Sequence, residues 1–306
     1  MYASVIVPLD GSTFGEHALP LALNIARRNK IALEVVHIDV PLAELYAEPR
    51  PNIESPSNRL IKRQAKKYLE EVGTHLRSLT QFRVNTTILE GPIAETLRSF
   101  VADRPESLVV MTTHGRGPLS RFWLGSVVDA FVRGAPSPVL LVHPAGEKPA
   151  LGAAPTMPHI LIPLDGSLLS EEILEPAVKL GKVMDSALTL LRVVEPLYFV
   201  GQGAIGDLPA VYDPGWTKEE EETARNYLEK VADRLRTCGL RVSTRVHINA
   251  SVPMAVLEEA RAENMSCIAL STHGRRGLAR AALGSVADKI VRAGTLPTLI
   301  LKPTKL

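Results

Sequence analysis

The chain has 306 residues, 45% hydrophobic and 22% charged, with 35 basic against 33 acidic side chains and two cysteines. That length suits two domains of about 150 residues, and the composition excludes a disordered chain, a disulfide framework and a general drive toward nucleic acid or anionic membrane. No apolar run reaches the ~18 residues of a membrane span and no leader is read ahead of the first strand, so a cytoplasmic protein without membrane or nucleic-acid partners is expected.

Each half opens on the same phrase, Val5-Ile-Val-Pro-Leu-Asp-Gly-Ser12 and Ile160-Leu-Ile-Pro-Leu-Asp-Gly-Ser167. Short β-branched apolar runs of this kind predict a central parallel strand covered on both faces by helices. The turn residues behind them predict a helix start, with Thr13-Phe-Gly-Glu16 as a capping box, and crossover helices to about Arg28 and Met184. Second strands are expected at 32–38 and 187–193. The halves then diverge over 40–58 and 195–216, read as flaps, of which the second is rich in Gly and Pro.

Long amphipathic helices follow near 58–79 and 217–236, the second announced by Thr217-Lys-Glu-Glu220 as a capping box. Third strands are read at 83–89 and 241–248, third helices at 93–102 and 253–262, fourth strands at 108–112 and 267–271. Helices from Ser126 and Ser285 and last strands at 138–142 and 297–301 close each half. Strict β-α alternation with right-handed crossovers makes an open doubly wound sheet, giving domains 1–146 and 157–306 joined by a Pro/Gly/Ala linker at 147–156. Cys238 and Cys267 have no counterparts in the first half and are read as buried thiols.

The most informative stretch is Val109–Asp129, which returns as Ile268–Asp288; between Thr112–Asp129 and Ser271–Asp288, eleven of eighteen positions are identical. In an open α/β sheet, ligands lie beyond the carboxyl ends of the strands, where the strand order reverses. Asp10 and Asp165 follow the first strands; Gly115 and Gly274 follow the fourth. Glycines let backbone approach a ligand, the helices that start at Gly125-Ser126 and Gly284-Ser285 offer free N–H groups to an anion, Arg116 and Arg275 add charge, and a carboxylate suits ribose hydroxyls. The chemistry fits a nucleotide. The plainer alternative is that Ser126-Val-Val-Asp129 and Ser285-Val-Ala-Asp288 are capping boxes that start helices with no ligand. His114 and His273 lack further ligands at metal spacing and are expected to fix the loops by hydrogen bonds. The arginines around both loops lack interleaved aromatics and read as solvated faces.

On these residues the chain resembles a tandem universal stress protein of the UspA family, along nearly all of both halves. Its ATP-binding members carry G-x2-G-x9-G-[ST], matched here by Thr112-x2-Gly115-x9-Gly125-Ser126 and Ser271-x2-Gly274-x9-Gly284-Ser285, with Thr112 and Ser271 in place of the first glycine. The resemblance implies an adenine nucleotide alpha-hydrolase-like α/β fold: two tandem doubly wound domains, each an open five-stranded parallel sheet of order 3-2-1-4-5 flanked by helices. It implies ATP as ligand, with Mg2+ as accompanying ion. It places adenine and ribose against Pro8, Asp10, Ile38 and Met111 in the first half and Pro163, Asp165, Val193 and Leu270 in the second. Phosphates fall to Gly115, Arg116, Gly125, Ser126 and Val127, or to Gly274, Arg275, Gly284, Ser285 and Val286, with Thr112 and Ser271 beside them. It further implies that the last strands of the two halves pair as an intramolecular pseudo-dimer, leaving open a further homodimer.

Two classes of function follow: an ATP-binding stress-response protein that shows a changed surface to a protein partner, or an interaction module of the same fold with no nucleotide. An enzyme is the weakest reading. There is no G-x4-G-K-[ST] phosphate loop and no nucleophile set that recurs in both halves, and Asp10 and Asp165 are the only evident carboxylates; slow ATP hydrolysis, known of some relatives, is all the resemblance adds.

Overall fold

The computed structural model describes residues 1–40, 56–114, 124–144, 146, 148–199, 202–203, 206–207, 211–212, 214–272 and 283–303. The first half runs β1 (Ser4–Leu9), a 3-10 turn (Gly15–Ala18), α1 (Leu19–Asn29), β2 (Ala32–Asp39), α2 (Pro56–Ser78), β3 (Val84–Glu90), α3 (Ile93–Ala102), β4 (Ser107–Thr112), α4 (Ser126–Val132) and β5 (Val139–Val142). The second repeats it as β6 (His159–Pro163), α5 (Leu168–Glu171), α6 (Leu174–Met184), β7 (Ala187–Val194), α7 (Pro214–Arg236), β8 (Val242–Ile248), α8 (Val252–Ala262), β9 (Cys267–Ser271), α9 (Ser285–Ala293) and β10 (Thr298–Leu301).

The chain forms two compact units. The first gathers Met1–Thr156 with Thr295–Lys302. Its sheet has the order β3-β2-β1-β4-β5-β10, parallel except at the end, where β10 runs antiparallel to β5 with Leu299 opposite Leu140. The expected pairing of the two last strands is therefore present, and it lies inside this unit. Val5, Ile6 and Val7 have no exposure, as a strand covered on both faces requires. Asn24 on α1 is buried and donates to the Pro155 carbonyl at 2.8 Å, which fastens the end of the linker to this unit.

The second unit is built on β8-β7-β6-β9, all parallel, the third-second-first-fourth run of the expected order. Its core matches the first: Ile160, Leu161 and Ile162 are fully buried at the centre, and Leu180 and Leu228 pack on from the helices. Both first helices stop the same way, on a non-glycine residue in the left-handed region, Lys30 (φ 53°) and Asp185 (φ 56°), whose N–H groups return to the Ala26 and Gly181 carbonyls.

Helix starts depart from expectation. Thr13 does not cap; Ser12 and Asp10 organise that turn, and helix begins as a 3-10 turn at Gly15. In α7, Thr217 sits within the first turn and is buried, because the helix opens at Pro214, where a missing N–H costs nothing. Of the two cysteines, Cys267 is buried and Cys238 is exposed, since it lies in the turn past the end of α7 rather than on a packed face. The first flap, 41–55, lies outside the described residues. Within the second, 198–199 pairs antiparallel with 211–212 and 202–203 with 206–207, so that stretch holds short strand pairings where none were expected. Among the described residues no helix is long and apolar enough to cross a membrane.

Candidate functional site

In both units the first, second and fourth strands end side by side. β1 lies between β2 and β4 in parallel register, with Leu9 opposite His37 and Ile6 opposite Val109, so Pro8, Asp10, Ile38, Met111 and Thr112 reach one end of the sheet. In the second unit Pro163 pairs with Leu191 and Ile268 with Leu161, which brings Pro163, Asp165, Val193, Leu270 and Ser271 to the equivalent end. Ile38, Val193, Met111 and Leu270 are buried, and the two prolines are half-buried, giving each strand end an apolar floor.

The turn after the first strand is the same in both halves. Asp10 Oδ1 accepts the Ser12 amide at 2.9 Å and its hydroxyl at 2.6 Å; Asp165 Oδ1 accepts from Ser167 at the same two distances. The serine oxygen in turn accepts the amide of Gly15 or Ser170, each at 3.1 Å. Gly11 and Gly166 hold φ of 81° and 80°, the left-handed conformation that favours glycine. One carboxylate oxygen is thus engaged by its own turn. Each aspartate is oriented before any ligand arrives.

At the fourth strand end, Thr112 and Thr113 are buried, and Gly125 N–H donates to the Thr113 carbonyl at 2.9 Å; Gly284 repeats this on Thr272 at 2.9 Å. This contact fastens the start of α4 or α9 to the strand. The capping boxes at Ser126 and Ser285 do not form. The cap position falls on Gly125 and Gly284, no side chain caps either helix, and Asp129 and Asp288 bond Arg133 and Arg292 one turn on. Each serine thus falls one position inside its helix, past the place from which a side chain caps. Among the described residues, no side chain takes up the first N–H groups of α4 or α9, the groups that a helix itself leaves without partners. Ser271 Oγ is buried with no hydrogen-bond partner among the described residues, a polar group of the kind that a ligand would satisfy. Gly115, Arg116, Gly274, Arg275 and His273 lie outside the described residues.

His114 bonds the Thr113 hydroxyl at 3.0 Å, as expected of a loop anchor. Beside it, at the end of β5, stands His143, whose Nε2 is buried without a partner; burial, with the neighbouring His114, pushes its pKa down to about 4, and burial also lowers that of His114. Among the described residues no three metal-ligating side chains come together.

Sequence reasoning missed two groups. Tyr68 on α2 donates to Glu16 Oε1 at 2.9 Å, and Tyr227 on α7 donates to Glu171 Oε1 at 3.0 Å. Burial, then the paired glutamate, raises both phenols above their ordinary range, with Asp10 and Asp165 adding to it. The second group caps the carbonyl just before each aspartate: His37 Nδ1 donates to Leu9 O at 2.9 Å, and Arg192 Nη1 to Leu164 O at 3.3 Å. Both groups recur at the same offsets as the opening phrase and the repeated loop, which is the signal that would have found them.

The Universal stress protein family matches residues 1–143 and again 157–302. The chain belongs to the universal stress protein family. A Mycolicibacterium smegmatis universal stress protein is 27% identical over 98% of this chain and 97% of its own length. The Mycobacterium tuberculosis universal stress protein Rv2005c is 25% identical over 97% and 96%. A universal stress protein from Archaeoglobus fulgidus superposes with a TM-score of 0.70 at 15% identity over 99% of both chains, and a Pseudomonas aeruginosa one with 0.64 at 16% over 99% and 94%. The full-length relatives make this a tandem universal stress protein with the expected fold.

Proposed function

We propose that this tandem universal stress protein binds ATP in a crevice at the strand ends of each half and acts through a protein partner rather than as an enzyme. One observation carries the reading: α4 and α9 start at Gly125 and Gly284 with no side-chain cap, and those glycines are tied by their own N–H groups to Thr113 and Thr272 just past the fourth strand, which lies beside the strand that leads into Asp10 or Asp165. That pairs an anion site with a carboxylate suited to ribose hydroxyls. The serine caps that would favour the interaction-module reading do not form, which leaves that reading the replacement of the first motif glycine by Thr112 and Ser271.

The residues described fit the nucleotide. The apolar floor of Ile38 and Met111, or Val193 and Leu270, suits a base; the partnerless Ser271 hydroxyl suits a polar ligand. Mg2+ would be carried on the phosphates, its usual mode of binding. The test is the nucleotide released on denaturing protein purified without added ATP, quantified per chain. About two per chain supports the reading in both halves, about one restricts it to a single half, and none, with no binding on titration, returns the protein to the interaction module.

A further inference from the structure

The two crevices differ in the group that caps the first strand, besides the exchange of Gly117 for Arg276 in a loop outside the described residues. In the first half that group is a histidine, His37; in the second it is Arg192, whose guanidinium lies on the carbonyl of the residue preceding Asp165. Both side chains are half-buried, so each stands at the rim of its crevice rather than in bulk solvent. Two further exchanges have the same sense. Arg234 Nη2 bonds Glu171 at 2.7 Å where the first half has His75 at the aligned position, and buried Asp39 at the end of β2 becomes Val194. Against these, Glu172 and Glu195 stand in the second half at the positions of His17 and Val40. Arg192 is the nearer group, since it touches the strand end itself.

We infer that Arg192 sets a difference between the halves, making the second crevice the tighter site for a polyanionic adenine nucleotide and the first a weaker one that distinguishes less between charged and uncharged ligands. The inference rests on the nucleotide reading above. A guanidinium is charged at every working pH. Arg192 offsets the Asp165 carboxylate, which would otherwise repel phosphates, and attracts the phosphates directly; both effects have one sign. A unit charge at roughly 8–10 Å across a partly solvated crevice changes anion affinity by about 5- to 20-fold. An uncharged nucleoside is nearly blind to it.

The experiment uses the full chain with one crevice blocked, Gly125→Val to leave the second half and Gly284→Val to leave the first, titrated at pH 8 and low salt with ATP and with adenosine. The expected result is ATP bound about 5- to 20-fold more tightly by the second half, with adenosine affinities within about twofold. Arg192→His should bring the second half down to the first for ATP alone, and His37→Arg should raise the first. If a blocking variant fails to fold, His37→Arg and Arg192→His in the otherwise native chain give the same answer through the two steps of a calorimetric ATP titration. Equal ATP affinities, or an Arg192→His variant that binds ATP as before, overturns the inference while leaving the nucleotide reading intact. An equal loss of ATP and adenosine overturns it too, since that marks a structural arginine. No ATP binding in any variant or in the native chain overturns the nucleotide reading and this inference together.

Discussion

The Tyr68 phenol bonds the Glu16 carboxylate at 2.9 Å, joining the long helix α2 to the turn that follows Asp10. Tyr227 and Glu171 make the same joint in the second half at 3.0 Å. A hydrogen bond to a charged group contributes about 1.5–3 kcal/mol. Tyr68→Phe and Tyr227→Phe should each cost about that much by urea unfolding, and because the joints lie in separate units the double variant should be close to additive. Loss of less than about 0.5 kcal/mol in either would show the joint to be incidental.

The same phenols bear on alkaline stability. Their folded pKa values lie above the ordinary value of about 10. Below that value both states are protonated and the contribution is fully present. As pH rises past it the unfolded phenol ionises first, and stability falls. The native chain should lose stability steeply above about pH 10, and the double phenylalanine variant should lose it less steeply.

His143 predicts the opposite flank. Its folded pKa is about 4, below the ordinary imidazole. As pH falls from about 6.5 toward 4 the unfolded state takes up the proton and the folded state does not, so stability drains across that window. His143→Gln should flatten the midpoint-versus-pH curve there; an unchanged slope would mean that carboxylates alone set the acid limb.

Gly125 has φ −57°, ordinary for any residue, and among the described residues a Cβ built on it meets nothing closer than the Thr113 carbonyl at 3.5 Å. The fold does not demand glycine there. Gly125→Ala should leave stability within about 0.5 kcal/mol while weakening ATP binding in the first half. A large loss of stability with binding intact would refute this assignment.

Gly15 is the contrasting case: an added Cβ would come within 2.7 Å of Asp10 Oδ1. Gly15→Ala should displace that carboxylate and destabilise the protein by about 1–3 kcal/mol. Gly152→Ala, whose Cβ meets nothing within 4 Å, is the neutral control.

The elements were legible because their signals are local and come twice. The apolar runs at Val5 and Ile160 and the repeated loop fix strand identity, and β9 and α3 begin and end where their residue patterns place them. The helix caps were not. Ser126 and Asp129 satisfy the capping pattern by spacing, yet the backbone bond from Gly125 to Thr113 moves the cap back one residue, and Arg133 takes the aspartate. Thr217 failed likewise once Pro214 opened the helix early. Such outcomes depend on a contact from another element, which spacing along one segment does not encode. Cys238 was misplaced for a similar reason, since one turn decides whether it faces core or solvent.

The antiparallel pairing of β10 with β5 has a consequence for the order in which this protein is made. Residues 139–142 leave the ribosome long before their partner at 298–301. During most of translation the first unit presents β5 as an unpaired edge, the kind of surface on which strands from other chains add. The nascent first half is thus exposed to misassembly until β10 arrives, and a premature stop between the two strands leaves it unfinished.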